Sequence, residues 1–401
     1  MDDMIIPPRP AKKEPMLVPP PRKRKYDQEQ LDLLTVPMDW QEHWQGMPEF
    51  QQQDLKQVKS IQVHLKSFND LKALSAALGQ QITADTRSVW FPKENKQVLK
   101  DKAYMDADEK KKITPKYPIY IVSKGRADSR MTAKALDKLG VPFFIVVEPQ
   151  EYDTYCAVID SAKVLILDMS YKDRYDVFDD SIGKGNSCGP GAARNFVWDD
   201  SIRRGFAWHW VMDDNIQNFK RLHQNRKIRL QTGAFLRACE EFVERYENVG
   251  QAGLNYVFFG SDQKVGNAPA YYQNTRIYSC NLQRNDLPFR WRGRYNEDTD
   301  LSLNILKAGW CTVLFHAFMC NKMRTQTLGG GCTAEFYAKE GTKNKSLILQ
   351  RMHPDVARCT WRYGRDHHCV DYSGFKQKLI LKPGVTIPQG VNEFGMELRY
   401  K

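Results

Sequence analysis

Four stretches of this chain carry residue types and spacings suited to chemistry. In "HWVMDDNIQNF", residues 209–219, an apolar aromatic run stops at Asp213, Asp214 and Asn215. Adjacent carboxylates repel, and a cation beside them offsets that cost. In "GRYNEDTDLSLNILKAGW", residues 293–310, Glu297, Asp298 and Asp300 stand where an apolar-periodic stretch begins. A carboxylate held opposite a leaving group serves as a general base. Donors come from "SKGRADSR", where Gly125 permits a tight turn bearing Ser123, Lys124 and Arg126, and from "GKGNSCGPGAARNFVWDD", a Gly-rich loop leading into a helix with Arg194 and Asn195 in its first turn. Such turns suit a phosphate or nucleotide. Each stretch also has a plainer use: Asp and Asn serve at turns and N-caps, acids are favoured at helix N-termini, and surface loops are rich in Gly. Capping does not explain why two acidic motifs stand in this order along one chain.

The elements that must position these residues follow the pattern of an α/β protein. Trp208, Trp210, Val211 and Met212 read as a buried strand with the acids at its C-terminal end. From Tyr117 the chain gives an apolar strand (Ile119 to Val122), a helix bearing Met131, Ala135 and Leu139 with Gly140 as its C-terminal stop, and a second apolar strand, Phe143 to Val147. "AKVLILDMS" supplies a third strand. Later, Leu301, Ile305 and Leu306 form the inward face of a helix that ends at Ala308 and Gly309 before the strand "CTVLF". Strands alternating with helices predict a largely parallel sheet with functional loops on one edge.

Upstream, residues 1–38 read as a disordered basic arm rich in Pro, Lys and Arg. Residues 39–95 read as a small α+β module. Ile61, Val63 and Leu65 form one strand, Asn69 caps a helix bearing Leu71, Leu74 and Leu78, Gly79 ends it, and "RSVWF" forms a second strand. Residues 96–116 read as a charged linker, 117–380 as the main α/β domain and 381–401 as a C-terminal extension.

Composition narrows the partners. The 401 residues carry a formal net charge of +12, which favours a polyanion, nucleic acid first. Basic and aromatic residues interleave in "LPFRWRGRYNED": Arg290, Trp291, Arg292, Arg294 and Tyr295 lead directly to Glu297 and Asp298. Arginines take phosphates while a ring stacks on a displaced base, so this run is a candidate DNA track. A second run, "KRLHQNRKIR" from Lys220, fits ordinary packing of amphipathic side chains better. Nine cysteines without a CxxC pair indicate neither a disulfide framework nor a zinc ribbon, and fit a reducing compartment. No apolar run is long enough to span a bilayer, and the first residues lack the apolar core of a signal peptide.

An apolar strand ending in acids, followed later by an Asn-Glu-Asp turn and a helix of the form "EDxDLxxxxxxxGW", resembles the nucleotide-sugar glycosyltransferases of the GT-A fold. Together with "RIYSCNL" and the C-terminal "GRDHHCVDYS", the pattern resembles the TET/JBP-associated glycosyltransferases of bacteriophages, which act on hydroxymethylated pyrimidines in DNA. The resemblance implies a Rossmann-like mixed sheet of GT-A type flanked by helices. It implies a UDP-sugar donor, most simply UDP-glucose, and 5-hydroxymethylcytosine or 5-hydroxymethyluracil in DNA as acceptor. It also implies Mn²⁺ or Mg²⁺ as cofactor and the cytoplasm of the infected host as location. Position by position, Asp213 and Asp214 match the acidic triplet that holds the donor, and Asp298 matches the base of inverting enzymes with Glu297 as its neighbour. Asn215 stands where a third acid is usual, so either Asp214 holds the metal directly or Asn215 contributes its carbonyl oxygen. A late histidine often completes the metal shell, with His368 the first candidate over His316 and His367. Two other readings fit paired acids on a basic protein: a metal-dependent nuclease or nucleotidyltransferase, and a non-catalytic DNA-binding protein on a transferase fold.

Overall fold

A computed structural model of the chain describes residues 39–52, 58–93, 101–178, 189–260, 268–323, 343–362 and 364–401. The basic arm and most of the Gly-rich loop ahead of Gly189 lie outside the described residues. The strands are β1 (Lys102–Asp106), β2 (Ile119–Val122), β3 (Phe144–Val147), β4 (Val164–Ile166), β5 (Trp208–Asp213), β6 (Ile216–His223), β7 (Arg226–Leu230), β8 (Val249–Tyr256), β9 (Tyr271–Gln273), β10 (Cys280–Arg284), β11 (Cys311–Lys322), β12 (Ala357–Arg362), β13 (Arg365–Val370) and β14 (Met396–Tyr400). Among the described residues, 12 strands form one mixed sheet in the order β14-β1-β7-β6-β11-β8-β10-β5-β2-β3-β4, with β9 paired to β11, while β12 and β13 make a separate hairpin.

One end of this sheet explains where the site lies. β2 runs parallel to β3 and β5, and β3 parallel to β4. The chain moves outward from β2 to β3 to β4, then returns through the helix Gly191–Arg203 to β5 on the other side of β2. Ligands bind in the crevice at the carboxyl ends of strands where such a reversal occurs, because the flanking loops diverge there. The register sets Val122 beside Asp213, so the Ser123 turn and the Asp214–Asn215 turn leave the sheet together. This is the Rossmann-like GT-A arrangement. The parallel part is confined to one end, since β10 lies antiparallel between β5 and β8 and the β6–β7 hairpin pairs antiparallel with β11.

Strand alternation distributes the core over both faces. Ile119, Ile121, Trp210 and Met212 pack with Leu136, Phe235 and Phe242 from the helices Met131–Leu139 and Ala234–Glu244. Tyr120, Val122 and Val211 pack on the opposite face with Val197, Trp198, Leu301 and Ile305 from the helices Gly191–Arg203 and Glu297–Lys307. The two helices that carry Arg194 and Asp298 therefore share one face of the sheet.

The N-terminal and C-terminal expectations change in three respects. Residues 39–52 belong to the main body: Trp44, 6% exposed, packs its ring near Phe242, Tyr271, Phe315 and Phe318, and Arg245 donates to the carbonyls of His43, Gln45 and Gly46. Residues 58–93 contain the expected helix, Phe68–Leu78, but Ser67 rather than Asn69 caps it, accepting from the Asp70 N–H at 3.2 Å. No strand forms at Ile61, Val63 and Leu65 or at 87–91, because alternation alone cannot hold a strand without a partner edge. The linker and the C-terminal extension each supply a strand to the main sheet, β1 and β14, paired antiparallel. The second basic run forms the β6–β7 hairpin, in which Arg221 is buried against Glu393 while Arg229 is exposed.

Candidate active site

The β5–β6 turn is pinned from below. Thr132, at the start of the helix Met131–Leu139, donates its hydroxyl to the Asp213 carbonyl at 2.5 Å and accepts from the Ile216 N–H at 2.9 Å. Asp213 and Asp214 then face different partners. Asp213 meets Arg194 Nη2 at 2.8 Å, Lys322 Nζ at 2.7 Å and the Ser279 hydroxyl at 2.7 Å. Asp214 pairs with Arg126 and accepts from Ser123 Oγ at 2.7 Å, and Ser123 in turn shares a hydrogen bond with Tyr155.

Arg194 links this turn to the second acidic motif. Its Nη1 lies 2.6 Å from Asp298 Oδ1 and 3.1 Å from Glu297 Oε1, and its guanidinium sits 4.6 Å from the centre of the Trp291 ring. The helix Glu297–Lys307 is held by Asp300, fully buried, which takes Arg292 in a two-pronged contact, His353 Nε2 at 2.8 Å and Asn304 at 3.1 Å. Asn296, just ahead of Glu297, and Ser279 both adopt left-handed backbone, at φ 56° and 57°. Non-glycine residues held this way cluster at functional sites, where the surrounding structure compensates the strain.

These contacts set the protonation states. Burial pushes the Asp298 carboxyl up to about 7, with Glu297 and Asp213 adding to the rise and Arg194 opposing it. Burial acts the same way on Asp213 but is outweighed by Lys322 and Arg194, which hold it well below the ordinary carboxylate range. Asp214 is raised by burial despite Arg126. Lys322 and Arg194 stay cationic, because the acids around them overcome their desolvation. The site thus holds one carboxylate that is firmly ionised and one that exchanges its proton near neutral pH.

The site brings together Ser123, Arg126, Arg194, Asp213, Asp214, Glu297 and Asp298. Lys124 turns to Glu148 at 2.9 Å, the Gly125 N–H donates to Glu151, and Asn195 exchanges hydrogen bonds with the Trp291 backbone. The candidate DNA track divides. Trp291, Arg294 and Tyr295 are 1%, 7% and 2% exposed and pack inside the protein, whereas Arg290 and Arg292 keep partly exposed side chains. Alternation of charge and ring in "RWRGRY" does not reveal which of them face in. His316 is buried against Asn255. His368 lies in the β12–β13 hairpin, where burial, Lys345 and His367 hold it down to about 3, and no hydrogen bond or ion pair among the described residues joins it to the acidic turn.

The fold also brings Lys322, Ser279 and Tyr155 to this network, and Glu148 and Glu151 to the adjoining Lys124–Gly125 turn, none of which the sequence reading names. Lys322 closes the long apolar strand β11, a position at which a charge is a usable signal. Ser279 stands within "RIYSCNL" with nothing in that motif to single it out, and Tyr155, Glu148 and Glu151 carry no mark in the sequence, since only the fold brings them to this crevice.

A family profile for TET-associated glycosyltransferases matches residues 117–331, a span from just ahead of β2 that includes both acidic motifs. The chain belongs to the TET-associated glycosyltransferases. No curated protein matches it. As a TET-associated glycosyltransferase it is a transferase of sugars, and the matched residues contain the whole network around Arg194, while His368 lies beyond them. No helix among the described residues is long and apolar enough to cross a membrane.

Proposed function

We propose that this chain transfers a sugar from a nucleotide-sugar donor, most simply UDP-glucose, to the hydroxymethyl group of 5-hydroxymethylcytosine or 5-hydroxymethyluracil in DNA, with inversion at the anomeric carbon. The observation that carries the reading is the single guanidinium of Arg194 shared by Asp213 and Asp298. It fixes the donor-side acid relative to a carboxylate poised near neutrality.

In this reaction Asp298 accepts the hydroxyl proton as the hydroxymethyl oxygen attacks the anomeric carbon. The bond from that carbon to the diphosphate oxygen breaks on the opposite side. Arg194, Lys322 and Arg126 are cations already held in a largely buried site, so they stabilise charge growing on the diphosphate without reorganising. Glu148 and Glu151, beyond β3, offer acceptors for the hydroxyls and imide N–H of the nucleoside. A duplex acceptor must be flipped out of its stack to reach Asp298, and the net charge of +12 favours DNA as partner.

The acidic turn also fits Mn²⁺ or Mg²⁺. The Asn215 side-chain amide oxygen, Oδ1, is buried without a partner among the described residues, next in sequence to Asp214, and these ions take one or two protein oxygens plus substrate phosphates. No group of three His, Cys, Asp or Glu side chains suited to a metal occurs among the described residues. Asp214 and Asn215 would therefore hold the ion together with the donor diphosphate, with His368 the candidate from the C-terminal hairpin. Once bound, it would neutralise charge on the departing nucleotide.

Mass spectrometry of nucleosides from 5-hydroxymethylcytosine and 5-hydroxymethyluracil DNA, incubated with the protein, either ion and a panel of nucleotide sugars, tests the proposal. A mass gain of one sugar on one base is the expected result. Unmodified nucleosides under all conditions, or shortened strands, would overturn it.

A further inference from the structure

Beside the carboxylates lies a cleft of about 480 Å³ lined by residues from 171–176, by Asn195 and Asp199 of the helix Gly191–Arg203, and by residues from 288–292. We propose that it is a subsite for the nucleotide adjacent to the acceptor base, an inference that rests on the transfer to DNA proposed above.

Three features point to a flat, anionic occupant. Arg174, Arg290 and Arg292 line the cleft and outnumber its two acids, Asp176 and Asp199; a guanidinium has five N–H donors, so the contacts of Arg290 with Asp199 and the Leu287 and Phe289 carbonyls, and of Arg292 with Asp300, fix these side chains without exhausting them. Flat platforms stand among the arginines: the Arg174 guanidinium lies 3.8 Å from the centre of the Tyr171 ring, and Phe289 lines the cleft as well. Stacked rings and guanidinium planes beside a basic groove are how unstacked nucleotides are held. Finally, the Trp291 side chain is 1% exposed, lines the same cleft, and its indole N–H has no acceptor among the described residues. An unmade buried donor is costly, and an acceptor on a bound base or phosphate would recover it.

The position distinguishes a neighbouring nucleotide from the reacting one. Asp298 and Glu297 do not line the cleft, yet Trp291 on its wall stacks under Arg194, which bonds Asp298. An occupant of the cleft therefore sits beside the reacting hydroxymethyl group without containing it. The subsite would make transfer depend on the base next to the target.

Fluorescence anisotropy without any sugar donor tests this. The probes are duplex oligonucleotides carrying one 5-hydroxymethylcytosine, flanked either by natural nucleotides or by abasic ones. The unaltered protein is expected to bind the natural flank about tenfold tighter, as loss of one base stack implies. Phe289→Leu, which keeps most of the apolar volume while removing the ring, is expected to weaken binding to the natural flank alone and bring the two duplexes within about twofold of each other. Trp291→Phe, which removes the indole donor together with part of the ring, is expected to act in the same direction, and circular dichroism melting checks that each variant is folded. Equal loss on both duplexes, or an unaltered protein that binds them alike, would overturn the subsite. Because the readout needs no transfer, a flank-dependent protein that modifies no base would sink the reaction and leave the cleft. A transferring enzyme indifferent to the flank would do the reverse.

Discussion

Arg194 Nη1 lies 2.6 Å from Asp298 Oδ1, and the same guanidinium holds Asp213. Arg194 is 2% exposed, so a side chain that long and polar is buried only because acids from two separate motifs meet it. Arg194→Ala would leave Asp213, Glu297 and Asp298 close together without their shared cation. Removing one partner of a buried ion pair costs about 3–5 kcal/mol, so a lower melting temperature and loss of transfer are expected together. Arg194→Lys keeps the charge but not the fork, and should recover stability more than activity. Wild-type turnover by the lysine variant would show that the two-pronged bridge is unnecessary.

Asp298 predicts a pH profile of definite sign. Burial raises its carboxyl to about 7, and a general base works only when ionised. kcat/KM should therefore fall as pH drops through about 7 and level off above it. Glu297→Gln removes a like charge that contributes to the rise, so the inflection should move to lower pH. A flat profile from pH 5.5 to 8.5 in both proteins would remove Asp298 from the role of base.

The parts of this molecule that were legible in the sequence are those where one local signal had one structural meaning. "WHWVMDD" forms β5 ending at Asp213, and "EDTDLSLNILK" forms the helix it was expected to form, because strand and helix periods differ and the acids mark an end. Partners supplied by distant segments were not legible. Lys322 reaches Asp213 from the far end of β11, and Ser279 does so through left-handed backbone that no residue preference announces. The error at 61–65 has the same origin: Ile61, Val63 and Leu65 alternate, but no edge is present among the described residues to pair with them.

Trp44 makes a test of the N-terminal boundary. Its ring packs with aromatic side chains of the main core, and its indole N–H donates to the Pro48 carbonyl at 2.8 Å. Trp44→Ala should cost about 3–5 kcal/mol, as truncation of a buried aromatic does. Phe68→Ala, at a position 74% exposed, should leave the melting temperature within a few degrees. Equal effects would return residues 39–52 to a unit separate from the sheet.

Arg290 and Arg294 separate DNA contact from packing. Arg294 is 7% exposed with its guanidinium 5.4 Å from the Tyr295 ring centre, whereas the Arg290 side chain is 39% exposed. Arg290→Ala should weaken binding to duplex DNA and flatten the dependence of log K on log salt by about one unit, the share of one phosphate contact. Arg294→Ala should lower the melting temperature and leave that slope unchanged. A slope that responds only to Arg294 would place the DNA on a different face.

Metal dependence tests the proposed division of labour in the acidic turn. Asp214 and Asn215 are 5% and 8% exposed, and the Asn215 side-chain Oδ1 is the unpartnered oxygen. An oxygen pair of this kind needs the donor diphosphate to complete an ion's shell. Asn215→Ala should therefore raise the Mn²⁺ concentration needed for half-maximal transfer about tenfold or more, a size typical for loss of a supporting metal contact. It should also weaken Mn²⁺-dependent binding of UDP measured by calorimetry, while leaving metal-free UDP binding unaltered. His368→Ala applies the same measurement to the hairpin: a shifted titration would bring β13 into the metal shell. Unchanged titrations for Asn215→Ala and Asp214→Ala would leave Arg126, Arg194 and Lys322 as the whole electrostatic support of the leaving group.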